Sequence, residues 1–155
     1  MDLTLPLDHA AIERILLHRY PFLLVDRVTE LEIDKRIVGI KNVSRNDHYL
    51  SHEAGGGAVF PPTLLTEAIA QVGAILILAK PENRQRLPLL AGIKRFRFRR
   101  PVRPGDVIEM EAHVVRLGSR MGVLEGVARV DGKVVADGTM TCALGPALPQ
   151  TANRA

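Results

Sequence analysis

The stretch that decides the fold reads HEAGGGAVFPPTLLTEAIAQVGAILILA and occupies residues 52–79. A glycine-rich loop is followed by two prolines and then by a run that is apolar almost throughout. Proline is well tolerated in the first turn of a helix, because the N–H that it lacks has no intrahelical partner there. The sequence therefore predicts a helix from Pro62 to Ala79, about 27 Å long at roughly 1.5 Å per residue.

Four polar residues interrupt this helix, and three of them form one stripe. Thr63, Glu67 and Gln71 are spaced four residues apart and so lie on one face, with Thr66 beside them. A helix that is otherwise hydrophobic is normally buried, and an unpaired buried carboxylate is costly. Glu67 therefore needs a partner, and His52 on the preceding loop is the nearest candidate in the sequence.

The composition is that of an ordinary globular protein. The chain has 155 residues, 46% hydrophobic and 25% charged, which predicts one domain with a sizeable core. A net charge of +4 favours acidic partners, and a single cysteine, Cys142, excludes an internal disulfide and fits a reducing compartment. The sequence opens without a signal segment, and its longest apolar run, residues 72–79, is too short to cross a bilayer. We expect a cytoplasmic protein with no membrane partner.

The rest of the chain predicts strands on both sides of the helix. Asp8 is a candidate N-cap for a short helix that ends at Leu17, and residues 22–28 and 36–43 have strand-like patterns. After the helix, four segments follow a period of two, which indicates an antiparallel meander. These segments are residues 90–99, 107–116, 122–130 and 133–144. The last two are joined by Asp131-Gly132, which predicts a tight hairpin.

This order favours an α+β domain over residues 1–144, in which a curved antiparallel sheet wraps one long buried helix. Residues 145–155 have little to bury and are interpreted as a flexible C-terminal tail. One sheet cannot easily cover an apolar helix on every side, so we expect a dimer that completes the cover.

Five segments of the chain resemble one enzyme family. Residues 18–28 read HRYPFLLVDRV, and residues 41–43, 67–71, 91–93 and 98–106 read KNV, EAIAQ, AGI and FRRPVRPGD. In this order they are similar to the motifs of the hot-dog-fold 3-hydroxyacyl-acyl-carrier-protein dehydratases of fatty acid synthesis. The similarity extends from about Ile12 to Leu144, nearly the whole chain.

The resemblance implies a homodimer of hot-dog subunits, often assembled into a hexamer as a trimer of dimers, with active sites at the dimer interface. The substrate would be an acyl chain on the phosphopantetheine of acyl-carrier protein or CoA, with no metal and no other cofactor. His52 of one subunit would remove the α-proton, and Glu67 of the other would help to expel the hydroxyl and leave a trans-2-enoyl thioester. The candidate substrate-binding residues are Phe60, Pro61, Pro62, Thr63 and Gln71.

The loop before the helix departs from the family pattern. The family's carboxylate follows its histidine one residue sooner than Glu67 follows His52, so the loop has either gained a residue or lost its histidine. Three consecutive glycines tolerate backbone conformations closed to other residues and so could absorb one extra residue. Aligned without a gap, Glu53 takes the histidine position, and His48 is a further alternative.

The helix start departs from the pattern as well. Pro62 stands where the family has a glycine whose backbone N–H polarises the thioester carbonyl. Proline has no N–H to give, and the N–H of Thr63 is the candidate replacement. Losing one such donor typically lowers the rate about 10²- to 10³-fold, which weakens an enzyme without necessarily abolishing its activity.

A basic cluster, defined here by six residues, follows the helix in the sequence. The resemblance implies that it docks an acidic carrier protein, for which clustered guanidinium groups are suitable partners. Nucleic acid is disfavoured as a partner, because aromatic residues make up only 4% of the chain and Phe96 and Phe98 alternate to the opposite face. The cluster consists of Lys94, Arg95, Arg97, Arg99, Arg100 and Arg103.

Three hypotheses follow for the function. The first is a dehydratase that acts on 3-hydroxyacyl thioesters through His52 and Glu67. The second is a non-catalytic acyl-thioester-binding protein of the same fold or an inactive partner subunit, as the altered loop and Pro62 suggest. The third is an acyl thioesterase, since a carboxylate on this helix can activate water. Cys142 lies in an apolar strand and is interpreted as a core residue.

Overall fold

The fold is built from one long helix, one short helix and eight strands, in a computed structural model that describes residues 3–52, 55 and 57–147. The helices are α1 (His9–Ile15) and α2 (Pro62–Leu78), and a single 3-10 turn covers Pro81–Asn83. The strands are β1 (Arg27–Glu32), β2 (Arg36–Asn42), β3 (Ser51–His52), β4 (Ala58–Val59), β5 (Arg86–Phe98), β6 (Val107–Leu117), β7 (Met121–Val130) and β8 (Lys133–Ala147).

Six of these strands form one antiparallel sheet in the order β1-β2-β6-β7-β8-β5, and β3 and β4 form a separate two-stranded hairpin. The two residues between β7 and β8, Asp131 and Gly132, both have positive φ, at 49° and 72°. That geometry is the one a tight two-residue hairpin turn requires, so the predicted hairpin is confirmed.

The central helix α2 packs across this sheet, and nearly all of its residues from Leu65 to Leu78 are buried. Glycines in the helix and the sheet allow this close approach. A Cβ built on Gly126 of β7 would lie 2.4 Å from Ile69 Cγ2, and one built on Gly73 would lie 2.6 Å from Leu124 Cδ1. The predicted arrangement of a buried helix against a curved antiparallel sheet is confirmed.

The short N-terminal helix is also confirmed, although it ends at Ile15 rather than at Leu17. Asp8 caps it as predicted, because its Oδ1 accepts a hydrogen bond of 2.8 Å from the N–H of Ala11. Strand β8 continues to Ala147, three residues into the segment predicted as a tail, and residues 148–155 lie outside the described residues.

The prediction of a strand over residues 22–28 is wrong for its first five residues, because β1 begins only at Arg27. At Phe22 and Leu24 the backbone is bonded by a side chain of the central helix instead of by a neighbouring strand. The N–H of Leu24 donates to Gln71 Oε1, and the carbonyl of Phe22 accepts from Gln71 Nε2, each at 2.8 Å. A local pattern of apolar residues cannot reveal a partner so far along the chain.

Strand β5 forms the edge of the large sheet, paired only with β8 among the described strands. Four large apolar side chains of this edge are between 39% and 54% exposed, an unusual density for an edge strand. They are Leu89, Leu90, Ile93 and Phe98.

Candidate functional site

Glu67 lies in the second turn of α2, where the helix changes from an exposed start to a buried body. The exposed fraction of its side chain is 23%, whereas Pro62 and Thr63 are exposed and Ala68 is fully buried. The carboxylate is therefore shielded from water on most sides but remains accessible from one. A half-buried carboxylate is the arrangement that the apolar helix pattern predicts for a functional residue.

Gln71, one turn along the helix, holds this carboxylate in place. Its Nε2 donates to Glu67 Oε1 at 3.0 Å and also to the carbonyl of Phe22, while its Oε1 accepts from the N–H of Leu24. Gln71 is only 1% exposed, so all of these bonds are shielded from water. Gln71 thus orients Glu67 and ties residues 22–24 to the helix, and its direct contact with substrate stays a prediction.

His18 is the residue of the site that the spacing argument missed. Its Nε2 lies 3.6 Å from Glu67 Oε1, and its ring is 31% exposed. Desolvation by burial lowers the pKa of His18, the nearby Arg19 acts in the same direction, and Glu67 opposes both. The residues are 49 positions apart (67 − 18), so only the fold reveals the pair. The one available signal was the position of His18 at the start of the motif in residues 18–28.

A cavity of about 150 Å³ opens beside this pair. His18, Glu67 and Gln71 form its polar end, and the remaining lining is mostly apolar. The other lining residues are Ala70, Ala74, Pro88, Leu89, Leu90 and Cys142. Burial raises the pKa of Cys142 to about 11, so the thiol is protonated at neutral pH, in agreement with its interpretation as a core residue. The cavity can receive an apolar chain whose reactive end meets Glu67.

His52 lies on the exposed strand β3, where it is paired in register with Ala58 of β4. In the described part of the subunit, Glu67 contacts His18 and Gln71, and His52 is not among its partners. The expected pairing of His52 with Glu67 involves two subunits, so it stays a prediction for the dimer.

The two alternatives to His52 are His48, which lines a different cavity, and Glu53. The ring of His48 packs at a tilt against Tyr20 and Tyr49, with centroid distances of 5.8 and 5.3 Å. It lines this cavity, of about 200 Å³, with Asp47. His48 is therefore not placed to act on a group beside Glu67 of the same subunit. Glu53 lies outside the described residues.

The start of α2 combines a buried aromatic residue with two prolines. Phe60 is 2% exposed, packs edge-on against Tyr49 at 5.6 Å and donates its N–H to the carbonyl of Val102 at 2.8 Å. Pro61 and Pro62 follow, and the N–H of Leu65 makes the first helical bond, to the carbonyl of Pro61, at 3.0 Å. The N–H of Thr63 lies before the first of these bonds, so it has no acceptor within the helix and points out of the helix N-terminus.

A second pocket, of about 260 Å³, borders this helix start and connects it with the basic cluster. Its lining residues are Val59, Phe60, Pro62, Phe98, Arg99, Arg100 and Pro101. All six residues of the basic cluster are exposed. Arg97 and Arg99 bind Asp137, at 3.2 and 2.6 Å, and Arg99 is the main reason that the pKa of Asp137 is lowered. Within the cluster, part of the positive charge is thus already neutralised.

Comparison with known proteins places the chain in a family. The sequence model of one protein family, described as the FabA-like domain, matches residues 16–139 of this chain. The 3-hydroxyacyl-acyl-carrier-protein dehydratase FabZ of Bacillus subtilis (strain 168) is 47% identical over 139 residues, which cover 90% of this chain and 99% of the relative. The FabZ dehydratase of Moorella thermoacetica is 48% identical over 139 residues, with coverage of 90% and 97%.

Solved structures show the same fold at lower identity. The dehydratase heterocomplex ApeI:P from Xenorhabdus doucetiae superposes with a TM-score of 0.74 at 20% identity, over 90% of this chain and 92% of that one. A hypothetical thioesterase from Streptococcus pneumoniae TIGR4, solved with coenzyme A, gives 0.60 at 14% identity, with coverage of 79% and 87%. The hot-dog fold expected from the sequence motifs is confirmed, and the chain belongs to the FabA-like family.

Proposed function

We propose that this chain eliminates water from 3-hydroxyacyl thioesters to give trans-2-enoyl thioesters in fatty acid synthesis. The observation that carries this function is Glu67, a carboxylate anchored by Gln71 at the polar end of an otherwise apolar cavity. The chain is nearly half identical, over nine-tenths of its length, to a relative named for this reaction. Its EAIAQ segment, which contains Glu67, resembles a motif of that family.

The elimination needs a base at C2 and an acid at the C3 hydroxyl. His52 of the neighbouring subunit takes the proton from C2, the electron pair forms the C2–C3 double bond, and the C3–O bond breaks. Glu67 gives its proton to the departing oxygen, which leaves as water. His52 has then gained one proton and Glu67 has lost one, and proton exchange with solvent returns both groups to their starting states.

A dimer brings these two groups together. Two of the exposed apolar residues of the β5 edge, Leu89 and Leu90, also line the cavity beside Glu67. A second subunit that covers this edge buries the apolar side chains and closes the cavity in the same step. The homodimer, with a hexamer as its further assembly, is the form in which we expect activity.

The thioester carbonyl lies at the start of α2 in this scheme. Because Pro62 has no N–H, the N–H of Thr63 is the donor nearest to that position on the helix. The pocket between Phe60 and Arg100 leads from this point to the basic cluster, where the carrier's phosphopantetheine and acidic surface would dock.

Turnover of a defined substrate tests this function. The purified chain is incubated with a short trans-2-enoyl thioester, and hydration is followed by the loss of the conjugated thioester absorbance. We expect measurable hydration without release of free thiol. Thiol release would instead identify a thioesterase, and an acyl-carrier complex without any turnover would identify a non-catalytic binding protein.

A further inference from the structure

We propose that His18 is a positioning residue, which donates its Nε2–H to the Glu67 carboxylate and, together with Gln71, directs that carboxylate into the cavity. The inference rests on the proposed dehydration, because it assigns His18 a part in the same reaction. It concerns a contact within one subunit, whereas His52 is expected from the neighbouring one.

Hydrogen bonds anchor the main chain around His18, which limits how far its ring can move from Glu67. The guanidinium of Arg19 donates to the carbonyls of Leu16 and His18, both at 2.8 Å, and to that of Glu13 at 3.0 Å. The N–H of Phe22 closes the following turn on the carbonyl of Arg19 at 2.7 Å. These bonds give the imidazole a defined position on the surface of α2.

The surroundings of the ring decide which nitrogen carries the proton. Nδ1 of His18 is buried and has no hydrogen-bond partner in the described part of the chain. A proton on Nδ1 would be a buried donor without an acceptor, whereas a proton on Nε2 faces Glu67 Oε1 at 3.6 Å. That distance is slightly longer than a hydrogen bond, so the proposed bond requires the two groups to approach by a few tenths of an ångström. The neutral ring therefore presents its N–H to the carboxylate.

Two N–H groups thus converge on the same oxygen of Glu67. Nε2 of Gln71 already donates to Oε1, and Nε2 of His18 lies 3.6 Å from the same atom. The second oxygen, Oε2, has no hydrogen bond within the described residues and is left for the substrate hydroxyl. When Glu67 gives up its proton and water departs, both N–H groups stabilise the negative charge that remains.

Two variants of similar polarity separate this role from simple packing. In His18→Gln the amide nitrogen reaches the position of Nε2, whereas in His18→Asn it reaches only the position of Nδ1. We expect His18→Asn to lower kcat about 10- to 100-fold, the effect of one hydrogen bond to a charged group, with KM changed less than about twofold. His18→Gln should retain kcat within about threefold of the wild type. Equal losses in the two variants, or none in either, would overturn the proposal.

A second measurement tests the contact without any turnover. The melting temperatures of the wild type, His18→Asn, Glu67→Ala and the double variant form a double-mutant cycle. We expect the shift caused by His18→Asn to differ by about 2 °C or more between the wild-type and Glu67→Ala backgrounds. The same shift in both backgrounds would overturn the pairing. If the wild type lacks dehydration activity, the proposed function fails, and this cycle still decides whether the two side chains interact.

Discussion

The two histidine-bearing segments near the start of α2 are held in different ways. Residues 18–24 are bonded to the helix through Gln71 and tightened by Arg19, so His18 is half-buried and fixed. Residues 51–52 and 58–59 form two short paired strands, and His52 is exposed. Within the subunit, His18, Glu67 and Gln71 are therefore already organised. The segment with His52, which we propose faces the partner subunit, is also where the sequence departs from the family motif.

Replacement of the anchored acid should have the largest effect. Glu67→Gln keeps the size of the side chain and its bond to Gln71 but has no proton to give. We expect kcat/KM to fall about 10³-fold, within the usual contribution of a general acid or base, with the melting temperature nearly unchanged. Steady-state hydration of an enoyl thioester measures this. Glu109→Gln, on an exposed position of β6, is the matched control, and equal activity of both variants would exclude Glu67 from the reaction.

Replacement of His52 should have the second-largest effect on activity. His52→Ala removes the proposed base and should lower kcat about 10²-fold, since general-base catalysis typically contributes that much or more. His48→Ala is the matched control, because it removes a loop histidine that packs against Tyr49 and lines a cavity that Glu67 does not line. A larger loss from His48→Ala than from His52→Ala would reverse the assignment. Full activity in both would leave Glu53 as the remaining candidate on this loop.

The sequence predicted best those parts of the fold that depend on neighbouring residues. The period of α2, the Asp8 cap and the Asp131-Gly132 turn each follow from residues a few positions apart, and all three are present. The strand predicted over residues 22–28 was wrong for most of its length because its backbone partner, Gln71, lies on the central helix.

The same limit applies to the site. Glu67 was found because a carboxylate in an apolar helix is costly wherever that helix packs. His18 was not found, because its approach to Glu67 depends on how residues 16–26 cross α2, which no local pattern encodes. Folding places side chains from distant segments at defined distances from one another. A single sequence can predict the segments but not these distances.

Gln71 acts as a clamp, because it bonds residues 22–24 to α2. Its replacement should lower the stability of the protein measurably. Gln71→Leu keeps the volume but leaves the buried N–H of Leu24 and the partly buried carbonyl of Phe22 without their partners. We expect the free energy of unfolding to fall by about 2–3 kcal/mol, the cost of leaving such groups unsatisfied. Denaturant unfolding measures it, with Gln85→Leu at an exposed position as the control. A change below about 0.5 kcal/mol, as for ordinary surface substitutions, would show that the clamp does not stabilise the segment.

Charge reversal in the basic cluster should have the smallest effect, and only on substrates that are attached to the carrier protein. Arg100→Glu reverses a charge beside the pocket at the helix start. We expect KM for a carrier-protein thioester to rise about 5- to 10-fold at low salt and less at high salt, because exposed charges are screened. KM for a small thioester without the carrier should not change. Arg116→Glu, exposed at a distance on β6, serves as the control, and an equal rise in that variant would reject specific docking at the cluster.

Subunit mixing tests most directly the central claim, that His52 and Glu67 act across a dimer interface. Inactive Glu67→Gln and His52→Ala proteins are mixed under conditions that exchange subunits, and hydration is then measured. Each mixed dimer contains one intact site, so random exchange should restore about a quarter of the wild-type activity. Activity that stays at the level of the separate variants after exchange, verified with differently tagged subunits, would contradict the account.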